Sequence, residues 1–220
     1  MKRALISLSA LSIAALPALA ETKDFPVGSF SNIDVNGGIK VLYETGAETT
    51  VIVEQAEGDF SDISIETDDG ELQIGRESLG FLKSLRANLH VDLVEGDLRV
   101  KVNGKRMPSY TVRVTSPSIS ELDVAQSSIL EASGIDAGKI KLDVSSSAKL
   151  IVSGRAASAD MDASSSSSID ASDFIVGAIS IEATSSADVI AHAVTNSRAR
   201  IDASSSSDVK LVLESTADID

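Results

Sequence analysis

No cysteine occurs in the 220 residues, which excludes disulfides, thiol catalysis and cysteine-ligated metals. Tryptophan is absent and aromatics make up 3% of the chain, so a bulky aromatic core is excluded too. The 43% apolar content rests on Ile, Val, Leu and Ala, a mix suited to thin, regular β layers. Histidine is limited to His90 and His192, too far apart for a zinc-binding spacing. Positive charge is scarce: 19 Lys and Arg stand against 33 Asp and Glu, a net charge of -14 that argues against nucleic acid and anionic lipid as partners. After residue 20 no apolar run is long enough to span a bilayer, so no transmembrane segment is expected in the mature chain.

What the chain does have begins with MKRALISLSALSIAALPALA. Lys2 and Arg3 precede an apolar run from Ala4 to Leu16, and Ala18-Leu19-Ala20 forms a small-x-small cleavage site. Residues 1–20 therefore read as a secretory signal peptide, placing the protein in the periplasm or at the cell surface. Without a cysteine after the apolar run, lipoprotein attachment is excluded. Loss of Lys2 and Arg3 takes the net charge from -14 to -16.

Beyond residue 117 the chain repeats itself. LDVAQSSIL from Leu122, LDVSSSAKL from Leu142, MDASSSSSI from Met161, IEATSSADV from Ile181 and IDASSSSDV from Ile201 start 20, 19, 20 and 20 residues apart. Each opens aliphatic–acid–Val/Ala, the period-2 alternation of a strand, and returns to an aliphatic eight positions on. Stacked at ~4.8 Å, such segments form the coils of an all-β parallel β-helix. The leucine-rich pattern LxxLxLxxN, which shares the period, is missing.

Stacking turns equivalent positions into rows. Leu122, Leu142, Met161, Ile181 and Ile201 should point inward, as should Val124, Val144, Ala163, Ala183 and Ala203. Ser127, Ser147, Ser166, Ser186 and Ser206 are expected to form a hydroxyl ladder. The acids Asp123, Asp143, Asp162, Glu182 and Asp202 should form an outward column, where like charges ~5 Å apart repel by ~0.8 kcal/mol even in water. Solvent and splayed side chains are one relief for that column; a Ca²⁺ ion held by the clustered oxygens is the other.

From residue 21 to 117 the pattern is strand-like but irregular: FSNIDV, GGIKVLYE, TTVIVEQ, ISIET, ELQIG, LRVKVN and YTVRVTSP, broken by Asn36-Gly37-Gly38, Thr45-Gly46, Asp69-Gly70 and Asn103-Gly104. Residues 75 to 96 interrupt it and read as a loop or short helix packed on an open face. The chain thus divides into a leader (1–20), an irregular β region (21–117) and regular Ser/Asp-rich coils (118–220).

The segment FSNIDVNGGIKVLYETG with its Gly38-Ile39-Lys40 core, then VIVEQ, YTVRVTSPSISELDV and the Ser-rich coils resemble the bacterial DUF2807 family, described as "putative auto-transporter adhesin, head GIN domain". The resemblance spans nearly all of the mature chain and implies a right-handed β-solenoid outside the cytoplasm. Family members often carry Gly-Ser-Gly where this chain has Ser-Ser-Ser. The last coil, ending in STADID, shows no polar cap and is expected to be an open edge, suited to self-association.

Chemistry is sparse. There is no GxSxG elbow for a serine triad, and Gly37-Gly38 lacks the Lys-Ser/Thr and helix of a phosphate loop. Asp160, Asp162, Asp170 and Asp173 form an acidic group that reads as a solvated face, and Lys101, Lys105 and Arg106 read as a solvated hairpin tip. After Pro117 the only aromatic is Phe174, so a sugar platform on the coils is not expected. The reading is an exported, non-enzymatic solenoid that binds or scaffolds an envelope or surface partner. The alternative is a β-helix glycan-active enzyme, for which a groove joining perturbed carboxylates to a Lys or Arg would speak.

Overall fold

The computed structural model describes residues 21–55, 59–79, 88–94, 97–194 and 198–214. The leader lies outside them, as do residues 80–87 and 95–96 of the interruption. Seven strands build the repeating part: β11 (Glu121–Val124), β12 (Ile129–Val144), β13 (Lys149–Ala163), β14 (Ser168–Ala183), β15 (Asp188–Val194), β16 (Ala199–Ala203) and β17 (Asp208–Glu214). All pair in parallel, coil on coil, as a β-solenoid.

The register is the one the repeat demands. Leu122, Leu142, Met161, Ile181 and Ile201 stack directly, and so do Val124, Val144, Ala163, Ala183 and Ala203. The first four members of each row are buried. Across the coil Leu130, Leu150, Ile169, Val189 and Val209 form the facing wall. The single 19-residue spacing is absorbed where the β12–β13 register shifts between Ala132 and Ile135. At that point Gly154 takes φ +124°, and a Cβ there would stand 2.2 Å from the carbonyl oxygen of Ile135. Only glycine fits.

The coil also continues into the first half. β2 (Asn32–Val35) lies parallel to β11 with Ile33 on Leu122, and β6 (Glu71–Arg76) lies parallel to β2 with Leu72 on Ile33. On the facing wall β3 (Lys40–Thr45) lies parallel to β12, and β10 (Tyr110–Ser116) lies parallel to β3. Pairing then turns antiparallel: β5 (Ile63–Asp68) on β6, β4 (Thr50–Gln55) on β10, and β1 (Glu21–Asp24) on β4. These strands finish the N-terminal end of the stack.

The serines do something other than form a hydroxyl ladder. Gln126-Ser127, Ser146-Ser147, Ser165-Ser166, Ser185-Ser186 and Ser205-Ser206 all have φ between +54° and +65°. Two successive left-handed residues define a type I′ turn, and Ala148 N–H donating to Ser145 O at 3.1 Å closes one. The stacking bonds are backbone ones: Ser147 N–H donates to Ser165 O and Ser166 N–H to Ser185 O, each at 3.0 Å. These point toward the next coil, whereas Ser145 N–H and Thr184 N–H donate to the previous one, so each corner bonds in both directions. Gly37-Gly38, φ +84° and +69°, is the first corner of the series. The hydroxyls that matter sit one residue later and inward: buried Ser128 accepts from Gly38 N–H, and buried Ser167 donates to Val144 O.

Over its described residues the interruption holds a short helix, of 3₁₀ type, and a strand. Gly75 and Arg76 end β6, Glu77–Leu79 form one 3₁₀ turn, and β7 (Leu89–Val94) opens a small antiparallel sheet with β8 (Asp97–Val102) and β9 (Lys105–Arg106). Its apolar side, Leu98, Val100 and Val102, packs with Val91, Met107 and Ile129 of the coil. Gly38 passes beneath, where a Cβ would meet Val91 at 2.8 Å. Buried Arg76 ties the pieces together: it donates to Gly37 O at 2.6 Å and Pro108 O at 2.8 Å, pairs with Asp62 at 2.7 Å, and lies over the Tyr110 ring.

Candidate functional site

The outward acids form one continuous column along the wall built by β2, β11, β12, β13, β14 and β16. Asp123 stacks on Asp34 and Asp143, Asp143 on Asp162, Asp162 on Glu182, and Glu182 on Asp202. All five expected acids are therefore neighbours, and Asp34 is a sixth. Its signal is in the sequence: IDVNGGIKV from Ile33 matches LDVAQSSIL from Leu122 position by position.

Asp123, Asp143, Asp162 and Glu182 line an open groove of about 420 Å³ together with Ser145, Ser164 and Thr184. The hydroxyl residues occupy the next outward position beyond the acids, on the shoulder of each corner. The groove thus presents carboxylates along one side and hydroxyls along the other, one of each on the coils of Asp143, Asp162 and Glu182, while the coil of Asp123 has Ala125 at the hydroxyl position.

Burial and charge crowding act on this column. Burial, then the charges of Asp34 and Asp143, push the Asp123 carboxyl from 3.8 up to about 6. Burial also raises Asp34, partly offset by its hydrogen bond with Asn36, and raises Asp162 together with the charges of Asp143 and Glu182. A cation of the chain's own enters beside the column: Lys141 Nζ lies 2.5 Å from Asp143 and 3.1 Å from Glu121. Those two hydrogen bonds hold the ammonium well above its ordinary range. Glu121 and Lys141 occupy the adjacent outward column and were not singled out from sequence.

The acids run in a line, and among the described residues no three His, Cys, Asp or Glu side chains gather to hold a metal ion. The group Asp160, Asp162, Asp170 and Asp173 is divided by the Ser164–Ser167 corner. Asp160 and Asp162 stand on the acidic wall, whereas Asp170 stacks between Ile151 and Ile190 on the facing one. Asp160 pairs with Lys139 at 2.8 Å, and Asp170 accepts from the Ser172 hydroxyl at 2.7 Å. Lys101, Lys105 and Arg106 are exposed on the β8–β9 hairpin. His192 contacts Ser172 O at 3.2 Å on β15, and exposed His90 lies 3.2 Å from Asp92 on the small sheet, so the two histidines serve separate places. Phe174 is fully buried and offers no platform.

This architecture has relatives. The family model described as "Putative auto-transporter adhesin, head GIN domain" matches residues 29–212. The chain belongs to the DUF2807 family. Its fold is similar to the crystal structure of a "putative adhesin" from Bacteroides fragilis NCTC 9343, 13% identical, with a TM-score of 0.56 over 90% of this chain and 96% of that one. A "putative adhesin" from Parabacteroides merdae ATCC 43184 is 16% identical, covering 90% of this chain and 94% of its own, at a TM-score of 0.48. A "putative lipid binding protein" from Parabacteroides distasonis ATCC 8503 is 14% identical over 90% and 97%, at 0.44. No curated protein matches the chain. At 13% identity the similarity to the Bacteroides fragilis structure shows a shared fold alone.

Proposed function

We propose that this DUF2807 protein is an exported, non-enzymatic adhesin-like protein of the cell envelope, and that it binds through the acidic wall of its solenoid. The observation that carries the reading is the groove lined by the stacked acids Asp123, Asp143, Asp162 and Glu182 on one side and by Ser145, Ser164 and Thr184 on the other. A straight row of carboxylates at the strand spacing of ~4.8 Å suits a partner with repeated cationic or hydrogen-bond-donating groups. Such binding relies on many weak, evenly spaced contacts and needs no single deep pocket. It should weaken steeply as ionic strength rises.

The test compares adhesion of the wild-type protein with that of a Asp143→Asn, Asp162→Asn, Glu182→Gln triple variant on bacterial cells and on arrays of cationic and neutral polymers. Adhesion should fall at least tenfold for the variant and fall with added salt. Equal adhesion by both proteins would refute the assignment to this face.

The glycan-active alternative draws on one feature, the Asp123 carboxyl held at about 6 near an ammonium. Against it stands the commitment of Lys141 to Asp143 and Glu121, which leaves that ammonium engaged beside the column. Release of reducing ends from envelope polysaccharides, abolished by Asp123→Asn, would overturn the non-enzymatic reading.

A further inference from the structure

The two ends of the solenoid differ. At the N-terminal end the stack turns antiparallel and is finished by β5 and β1. At the other end β16 pairs, among the described residues, with β14 alone, and its inward Ile201 is 44% exposed although its row-mates are buried. An exposed strand edge backed by an open apolar core is a template for another strand.

The sequence of that edge is Ala199-Arg200-Ile201-Asp202-Ala203. Read in the opposite direction with the charges exchanged, it is the same sequence. Antiparallel pairing of two copies about a two-fold axis at Ile201 sets Ile201 against Ile201, Arg200 against Asp202, and Ala199 against Ala203. Both Ile201 side chains then face inward, joining the two cores, while both charge pairs lie outward. We propose that β16 is a self-complementary edge through which two copies of this chain join end to end in a closed, isologous dimer.

The charge columns support the same partner. Among the described residues of one chain the acidic column ends at Asp202, and the adjacent column of Glu121, Lys141, Asp160 and Ser180 ends at Arg200. In the dimer each column is continued by the other's terminal residue, so Asp202 meets the partner's arginine where a further parallel coil of the same type would bring another acid. Because the far end of the stack is finished by antiparallel strands, pairing at β16 closes on two copies and builds no fibre.

The test is the mass of the purified protein by sedimentation equilibrium from micromolar to near-millimolar concentration. Wild type should reach twice the monomer mass. Arg200→Asp and Asp202→Arg, each placing like charges opposite, should remain monomeric. The double charge reversal Arg200→Asp/Asp202→Arg should restore the dimer, since it rebuilds both pairs with signs exchanged. Circular dichroism of each variant checks that the fold persists. In a chain without cysteine, Ile201→Cys should also give a single covalent dimer on mild oxidation. A wild type that stays monomeric throughout, a dimer indifferent to the single reversals, a folded double variant that fails to recover it, or an Ile201→Cys protein that does not crosslink would each overturn the proposal.

Discussion

Replacing Asp123 with Asn probes the acidic column most directly. The Asp123 carboxyl titrates near 3.8 in an unfolded chain and is pushed up to about 6 in the fold, first by burial and then by the charges of Asp34 and Asp143. Between those values the folded chain binds the extra proton, so stability is greatest on the acid side of the window and falls as pH rises through it. At about 1.36 kcal/mol per pH unit, the displacement corresponds to about 3 kcal/mol of unfavourable energy once the group is ionised. The side chain is half-buried, and solvent screening reduces this to about 1–1.5 kcal/mol.

Asparagine keeps the shape and removes the charge. At pH 7 the variant should be more stable than wild type by that amount, or roughly 2–6 °C in Tm for a domain of this size. At pH 4 the two should melt together. Calorimetry of both proteins from pH 4 to 8 measures the difference curve directly, and carboxylates distant from Asp123 cancel from it, whereas Asp34 and Asp143, coupled to it, contribute. Parallel curves, or a variant less stable at pH 7, would refute the account of Asp123 as a strained charge.

Four further outcomes follow from the packing. Gly154→Ala, which drives a Cβ to 2.2 Å from Ile135 O, should lower stability by on the order of 3 kcal/mol or more, seen as a loss of urea midpoint without change of slope. At a corner, Ser166 holds φ +63°, so Ser166→Gly should raise stability by about 0.5 kcal/mol and Ser166→Val should lower it by about 1–2 kcal/mol in the same melts. Arg76→Met strands buried Asp62 and withdraws donors from Gly37 O and Pro108 O, and should cost about 3–5 kcal/mol by calorimetry. Because the acids lie in a line, Tm should be the same with Ca²⁺ and with chelator; a Ca²⁺-dependent rise would show that the column gathers a cation after all.

The period, the inward rows and the acidic column were legible because a solenoid writes one position of structure into one position of every repeat. Asp34 was missed for a topological reason. Its coil is separated from the next by the strands that finish the N-terminal end and by the small sheet, so Ile33 stacks on Leu122, 89 positions further along the chain, and no fixed period links them. The hydroxyl ladder was misplaced for a conformational one: serine rarely takes positive φ, and only Gly37-Gly38 at the equivalent corner betrayed that the turn demands it. Asp160, Asp162, Asp170 and Asp173 looked like a cluster because they are close in sequence, yet a tight corner sends consecutive segments to opposite walls. Nothing in composition announces that Lys141 divides itself between acids on two coils.

The two walls also separate what the fold needs from what it tolerates. The outward column of the facing wall runs Ile52, Arg113, Leu42, Glu131, Ile151, Asp170, Ile190 and Lys210, mixed in sign and polarity. A parallel solenoid therefore stands on arbitrary outward residues, and six successive acids on the acidic wall are no requirement of strand stacking. They work against it, as the upward displacement of Asp123, Asp34 and Asp162 indicates. A feature that lowers stability and is absent from the equivalent wall is expected where a surface serves binding. The two measurements should accordingly move in opposite directions: Asp123→Asn should gain stability at pH 7 and lose adhesion. A variant that gains stability and adheres as well as wild type would detach the column from function and leave it as an incidental strain in the fold.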